Sequence, residues 1–74
     1  MKGFYTWVGN QLRTHRENRQ LSLEDVAIRV GLVKKTIANY ETARTKVPLD
    51  VVKQLCAIYG MDFDEFIREA NKHI

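Results

Sequence analysis

The sequence predicts an all-α bundle of five helices in one domain of 74 residues. Three observations predict this fold class. Apolar residues recur at helical spacing, as Val8 and Leu12 do in the first segment. Ser22 and Asp62, which are typical N-cap residues, precede two further segments. Gly31 separates the second segment from the third, because glycine adopts the left-handed backbone that ends a helix without a steric cost. The predicted helices cover residues 4–19, 22–30, 34–42, 49–59 and 62–72 of a single domain, 1–74.

The first helix is predicted to end near Arg19, with Val8, Leu12 and His15 spaced i, i+4 and i+7 along its inner stripe. A histidine on such a stripe is expected to be a hydrogen-bonded core or boundary residue rather than a ligand. The aromatic residues at the start are expected to extend this helix and to pack locally. Alternatively, if the tryptophan is exposed, it would contribute to an interface with another molecule. These residues are Phe4, Tyr5 and Trp7.

The second and third helices, with the turn at Gly31, form a predicted helix–turn–helix. On a regular helix of about 100° per residue, Val33, Ile37 and Tyr40 lie on one side, which faces the core. The opposite arc carries two cations, an amide and two small residues, and this chemistry reads base edges in the major groove of DNA. The arc consists of Lys34, Lys35, Ala38, Asn39 and Thr42.

N-cap residues predict where the second and fifth helices begin, and the fifth helix also carries more apolar residues than its packing requires. Ser22 is the predicted N-cap of the second helix, and Asp25 places negative charge in its first turn, where the helix dipole favours it. Asp62 and Glu65 predict an N-cap and a capping box for the fifth helix, and their offsets match no calcium loop. Three apolar residues of that helix exceed what a short last helix needs, so part of this surface is expected to face a second subunit. They are Phe63, Phe66 and Ile67.

Charge and cysteine usage narrow the class of protein. Residues 1–60 hold ten Lys/Arg against five Asp/Glu, whereas residues 61–74 hold two against four. The basic part contains the helix–turn–helix, which is a weak footprint of nucleic-acid binding; an ordinary basic surface is the alternative. A lone Cys56 cannot form an internal disulfide and has no metal-ligand spacing around it, which fits a reducing cytoplasm. No metal and no cofactor are expected. No apolar run approaches the roughly 18 residues of a membrane span, so no membrane association is expected.

Five short motifs occur in order around the predicted turn. They are Val26-Ala27, Gly31-Leu32, Thr36-Ile37, Tyr40-Glu41 and Pro48. Their spacing resembles the helix–turn–helix of the lambdoid phage repressors and Cro proteins, and of the wider Xre-type regulators. The resemblance extends upstream to Val8 and downstream to Ile67. No single motif is specific, but the complete spacing is hard to obtain by chance.

The resemblance implies structural and phosphate-binding roles. Arg16 occupies the position of an arginine that pairs with the glutamate ending the recognition helix, here Glu41, so an ion pair is expected between the first and third helices. The loop after the recognition helix is expected to hold DNA phosphates, although a solvated polar turn is the alternative. The implied phosphate contacts are Thr36, Thr42, Arg44 and Lys46, with Arg13 or Arg19 as further candidates.

Three residues depart from the family pattern. Leu23 stands where a glutamine usually helps to grip a phosphate, and it is expected to be exposed. Val33 replaces a common Ser or Thr at the start of the recognition helix, and it cannot cap that helix. Ala43 replaces a frequent glycine, so a left-handed backbone there would cost about 1 kcal/mol.

The sequence therefore predicts sequence-specific binding of double-stranded DNA by a cytoplasmic transcriptional regulator. The resemblance implies a repressor that acts on a palindromic operator as a homodimer, paired through its C-terminal helix. Its base contacts would be Lys34, Lys35, Ala38 and Asn39. The alternative is a protein-interaction module of the same fold, such as an antitoxin or anti-repressor, which would use Leu23, Trp7 and the last helix. An enzyme is not expected, because one cysteine and two histidines form no evident nucleophile–base–orienter set. The operator, the target genes and any small-molecule effector stay unassigned.

Overall fold

Five α-helices follow one another in the computed structural model, which describes residues 3–74. They are α1 (Gly3–Asn18), α2 (Leu23–Val30), α3 (Lys34–Glu41), α4 (Leu49–Tyr59) and α5 (Phe63–Asn71). The described residues contain no strand, so the predicted all-α fold class with five helices is confirmed. Each helix begins and ends within one residue of its predicted bounds. Residues 1 and 2 of the predicted domain lie outside the described residues. Within residues 3–74, no helix has both the length and the apolar character needed to cross a bilayer.

A capping box starts α2. The Asp25 amide donates to Ser22 Oγ at 3.0 Å, and the Ser22 amide donates to Asp25 Oδ2 at 2.9 Å. These two bonds satisfy donors that the first turn of a helix otherwise leaves unpaired. The Ser22 amide, and then the Ser22 hydroxyl, lower the pKa of the Asp25 carboxyl, because hydrogen bonds from them favour its ionised form.

The start of α5 differs from its prediction. Asp62 is the N-cap, and its Oδ1 accepts from the Asp64 amide at 3.0 Å. The predicted capping box with Glu65 is wrong, since the N-cap carboxylate bonds two residues on, and no return bond from Glu65 forms within the described chain. The cap therefore satisfies fewer amides here than at α2.

The core lies between all five helices and includes part of a loop. Val47, between α3 and α4, is only 3% exposed, although Thr45 and Lys46 before it are exposed. Cys56 is buried on α4, and burial raises the pKa of its thiol to about 11, so the thiol is neutral at physiological pH. The buried apolar residues are Val8, Leu12, Val26, Ala27, Ile37, Tyr40, Val47, Val52, Leu55, Cys56, Tyr59, Phe66 and Ala70.

Two apolar residues lie elsewhere than predicted. Val33 was expected beside Ile37 and Tyr40 on the buried side, but it is 66% exposed. It is the N-cap of α3, with an extended backbone, so the helical periodicity does not yet apply to it. Leu23 was expected to be exposed, but it is half-buried and packs against the core.

Aromatic rings of α1 contact residues near the C-terminal end of the chain. The Trp7 ring packs against Phe66 of α5, with centroids 5.3 Å apart, and stacks on His73 at 4.9 Å. Trp7 is therefore half-buried between α1 and the C-terminal segment. At the other end of α1, the His15 ring lies 6.4 Å from the Tyr59 ring, in the boundary position that its spacing predicts.

Candidate nucleic-acid interface

The contact between α1 and α3 sets the orientation of α3. A Cβ built at Gly9 would lie 2.5 Å from the Glu41 carbonyl oxygen and 2.7 Å from that of Tyr40. Only a residue without a side chain allows the two helices to approach this closely. Gly9 therefore brings the backbone of α1 directly against the C-terminal end of α3.

An ion pair fixes the same end of α3. Arg16 donates from Nε to Glu41 Oε2 at 2.7 Å and from Nη2 to Glu41 Oε1 at 3.1 Å. Its third donor group, Nη1, bonds the Leu21 carbonyl at 2.8 Å. The Glu41 side chain is 5% exposed and that of Arg16 is 11% exposed, so the bidentate pair is largely shielded from water. The hydrogen bond to Glu41 is the largest cause that raises the pKa of Arg16.

With its inner side held in this way, α3 turns a polar face outward. An open groove runs along this face and into the following loop. Lys35 is exposed at one end of the groove, whereas Ala38 and Asn39 are half-buried along it. Lys34 is exposed at the start of α3, outside the groove lining. The groove is lined by Lys35, Ala38, Asn39, Thr42 and Arg44.

The positive charge of this face is not neutralised internally. Within residues 3–74, the four cations of α3 and its loop form no ion pair. The acidic residue of α3, Glu41, is buried and paired with Arg16. The face therefore presents cations without exposed carboxylates from its own helix, which favours an anionic ligand. The four cations are Lys34, Lys35, Arg44 and Lys46.

The loop after α3 is shaped by its backbone. Ala43 has φ 61°, the left-handed conformation anticipated for a position where glycine is frequent. The Arg44 and Thr45 amides both bond the Asn39 carbonyl, at 2.9 and 3.2 Å. This wraps the loop back onto the end of the helix, and it places Arg44 beside Asn39 in the groove.

The predicted phosphate contacts differ in how available they are. The Thr42 hydroxyl donates to the Ala38 carbonyl at 3.0 Å, so it must release that bond before it can donate to a phosphate. Thr36 is half-buried, whereas Arg44 and Lys46 are exposed. The Lys46 ammonium lies over the ring of Tyr5, an aromatic contact that was not predicted.

The two further arginine candidates are already engaged. Arg13 pairs with Glu17 at 3.2 Å on the exposed surface of α1. Arg19 bonds the His15 carbonyl at 3.1 Å and also bonds the Tyr59 carbonyl, which ties α1 to the end of α4. Arg19 therefore serves the scaffold.

Sequence reasoning did not identify Gly9 and Tyr5 as residues that shape this face. One signal was available for Gly9, because glycine inside a helix is unfavourable unless another backbone approaches closely. Tyr5 gave no such signal, since its contact with Lys46 depends on how α1 docks against the loop. The described residues also contain no cluster of His, Cys, Asp and Glu that could hold a metal ion.

Comparison with known proteins identifies the family to which the chain belongs. A family model for the helix–turn–helix domain matches residues 7–67. The chain belongs to this helix–turn–helix family, in agreement with the resemblance to the Xre and Cro-like regulators.

Several known proteins are similar to the chain. A putative helix–turn–helix transcriptional regulatory protein of Pyrobaculum aerophilum is 30% identical over 60 residues, which cover 81% of this chain and 24% of the relative. The phage CTXphi repressor RstR of Vibrio cholerae is 29% identical over 65 residues, covering 88% of this chain and 59% of RstR. A glutamine–fructose-6-phosphate aminotransferase of Methanocaldococcus jannaschii is 33% identical over 67 residues, covering 89% of this chain and only 6% of that enzyme. The chain thus spans between 6% and 59% of the length of these relatives.

The same fold is found among solved structures. The clp gene regulator ClgR of Corynebacterium glutamicum superimposes with a TM-score of 0.79 at 19% identity. The superposition covers 93% of this chain and 90% of that of ClgR. At this level of identity the similarity establishes the fold alone.

Proposed function

We propose that the chain binds double-stranded DNA sequence-specifically and regulates transcription as a repressor by occupying an operator in the cytoplasm. The observation that carries the proposal is the outward face of α3. It combines cations that form no ion pair within residues 3–74 with an amide and a small residue along an open groove. Membership of the helix–turn–helix family supports DNA binding, and the similarity to the repressor RstR supports repression.

In the proposed complex, α3 enters the major groove. Asn39 would bond the edge of an adenine bidentately, and Lys34 or Lys35 would bond a guanine. Ala38 leaves room for the helix to approach the bases. Each such contact discriminates against a wrong base by about 1–3 kcal/mol.

The start of α3 and the following loop would hold the DNA backbone. Arg44 and Lys46 are exposed and unpaired within residues 3–74, so they can bind phosphate oxygens directly. Thr36 and Thr42 would add hydroxyl donors, the latter after release of its bond to Ala38. These contacts set register and affinity but carry no sequence information.

The proposed active form is a homodimer paired through α5. Phe63 and Ile67 on α5 are only partly buried, and Ile74, which follows α5, is 80% exposed. Pairing would cover apolar surface and would set two copies of α3 about 34 Å apart, one turn of B-DNA. A two-fold symmetric dimer then requires a palindromic operator.

The alternative function, a protein-interaction module, was predicted to use exposed apolar residues that are less exposed in the structure. Leu23 and Trp7 were to supply exposed contacts, but both are half-buried against the core. Of the three predicted contacts, α5 keeps a partly exposed apolar surface, and the proposed homodimer uses the same surface.

Selection of bound fragments from random duplex DNA tests the proposal. The expected result is a palindromic consensus, which supports base readout and dimer symmetry together. A one-sided consensus would contradict the dimer, and the absence of any enrichment would contradict sequence-specific binding.

A further inference from the structure

Tyr5, in the first turn of α1, contacts the loop that follows α3. The Lys46 Nζ lies 5.7 Å from the centroid of the Tyr5 ring, within the distance at which a cation is attracted to an aromatic face. Tyr5 is half-buried, whereas Lys46 is exposed. The ring is thus fixed by the fold, while the ammonium stays accessible to a ligand.

The position of the ring follows from the close approach of α1 to α3. Gly9 lies one helical turn after Tyr5, on the same face of α1. Because Gly9 allows α1 to touch the end of α3, the preceding turn lies beside the loop that begins there. Phe4 packs edge-on against the Tyr5 ring, with centroids 4.9 Å apart, and restrains its orientation.

Lys46 has no competing partner among residues 3–74, since it forms no ion pair there. A lysine side chain loses much rotamer freedom when it is ordered by a ligand. A side chain that an aromatic ring already restrains loses less, and binding is stronger for that reason. An ion pair would offset the charge of Lys46, whereas the aromatic contact leaves that charge available.

We propose that Tyr5 is a positioning residue for DNA-backbone binding, which holds the Lys46 ammonium ready for a phosphate. This inference rests on the proposed function. It extends the interface beyond α3 and its loop to the aromatic first turn of α1.

A double-mutant cycle on DNA affinity tests the coupling. Tyr5→Leu is expected to weaken binding to operator and to random duplex by the same factor, about two- to five-fold, the range of exposed cation–aromatic contacts. Tyr5→Phe keeps the ring and should bind as the parent does. In the background of Lys46→Ala, Tyr5→Leu should cause no further loss. An equal loss with and without Lys46, or an equal loss from Tyr5→Phe, would overturn the proposal.

Proton NMR of the free protein tests the contact without DNA. The Lys46 ε-methylene protons should be shifted upfield by the Tyr5 ring, and the shift should persist in Tyr5→Phe and vanish in Tyr5→Leu. Circular dichroism checks that each variant is folded, and Tyr5→Gln replaces Tyr5→Leu if the latter unfolds. Absence of the shift in the parent would overturn the contact whatever the DNA result. A parent that shows the shift but binds no DNA would instead overturn the proposed function, and the phosphate role with it.

Discussion

The two sides of α3 are governed by different physical constraints. The inner side is buried, and Glu41 at its end forms a bidentate ion pair with Arg16. The outer side exposes Lys34 and Lys35, which have no ion-pair partner within residues 3–74. Packing within the chain explains the inner residues, whereas the outer residues gain partners only from a ligand. A substitution should therefore affect stability on one side and DNA binding on the other.

Removal of the ion pair should have the largest effect on stability. Arg16→Ala leaves the Glu41 carboxylate buried without its partner, which costs about 3–5 kcal/mol for such a pair. A domain of this size would largely unfold, as thermal denaturation followed by circular dichroism would show. The matched control is Arg13→Ala, whose exposed pair with Glu17 contributes about 0.5 kcal/mol or less. Equal melting temperatures of the two variants would contradict a buried ion pair between Arg16 and Glu41.

Gly9→Ala should destabilise the protein by about 1–3 kcal/mol, because the new Cβ overlaps two carbonyl oxygens at the end of α3. The sign is informative, since glycine to alanine inside a helix ordinarily stabilises by about 1 kcal/mol. Asn10→Ala, at an exposed neighbouring position of α1, is the control and should be neutral or slightly stabilising. Urea denaturation measures both variants. A stabilised Gly9→Ala protein would show that α1 and α3 are not in backbone contact.

Ala43→Gly should stabilise the protein by up to about 1 kcal/mol, because it removes a Cβ from a left-handed backbone. Ala57→Gly, at an exposed position within α4, provides the opposite case and should destabilise by about 0.5–1 kcal/mol. The difference between their urea midpoints measures the strain at the end of α3. Destabilisation of the same size in both variants would mean that Ala43 is unstrained.

The smallest effect concerns the pH dependence of the scaffold. Burial, and then the charge of Arg19, lower the pKa of His15 below its usual value, so the folded protein binds fewer protons at this site than the unfolded chain. Stability should therefore rise with pH through the window from the lowered pKa to about 6.5, and decline as pH falls through it. His15→Gln should flatten this part of the urea midpoint profile. An unchanged profile would show that His15 titrates alike in both states.

Much of the fold follows from local signals. Apolar spacing and caps place the helices because both act within a few residues, as Ser22 does at the start of α2. The contact of Arg16 with Glu41 joins residues 25 positions apart, and only the family resemblance pointed to it. The backbone of Ala43 was anticipated for the same reason, from its place just after the recognition helix.

The errors arose at a helix boundary and where tertiary packing decides the environment of a residue. Val33 was placed on the buried side by a helical periodicity that does not extend to an N-cap. Leu23 was expected to be exposed because the family usually has a glutamine at its position, but in this chain it packs against the core. The roles of Gly9 and Tyr5 depend on the distance between α1 and α3, which no periodicity contains.

The central claim is that the outer side of α3 reads bases while the following loop grips phosphates. The most direct test compares Asn39→Ala with Lys46→Ala for affinity to operator and to random duplex across a range of salt concentrations. Asn39→Ala should change the preferred base at its position, by about 1–3 kcal/mol. Lys46→Ala should weaken both complexes by similar factors and reduce the log–log salt slope by about one, because one fewer counterion is released. The claim would be contradicted if Asn39→Ala left the base preference intact while Lys46→Ala altered it.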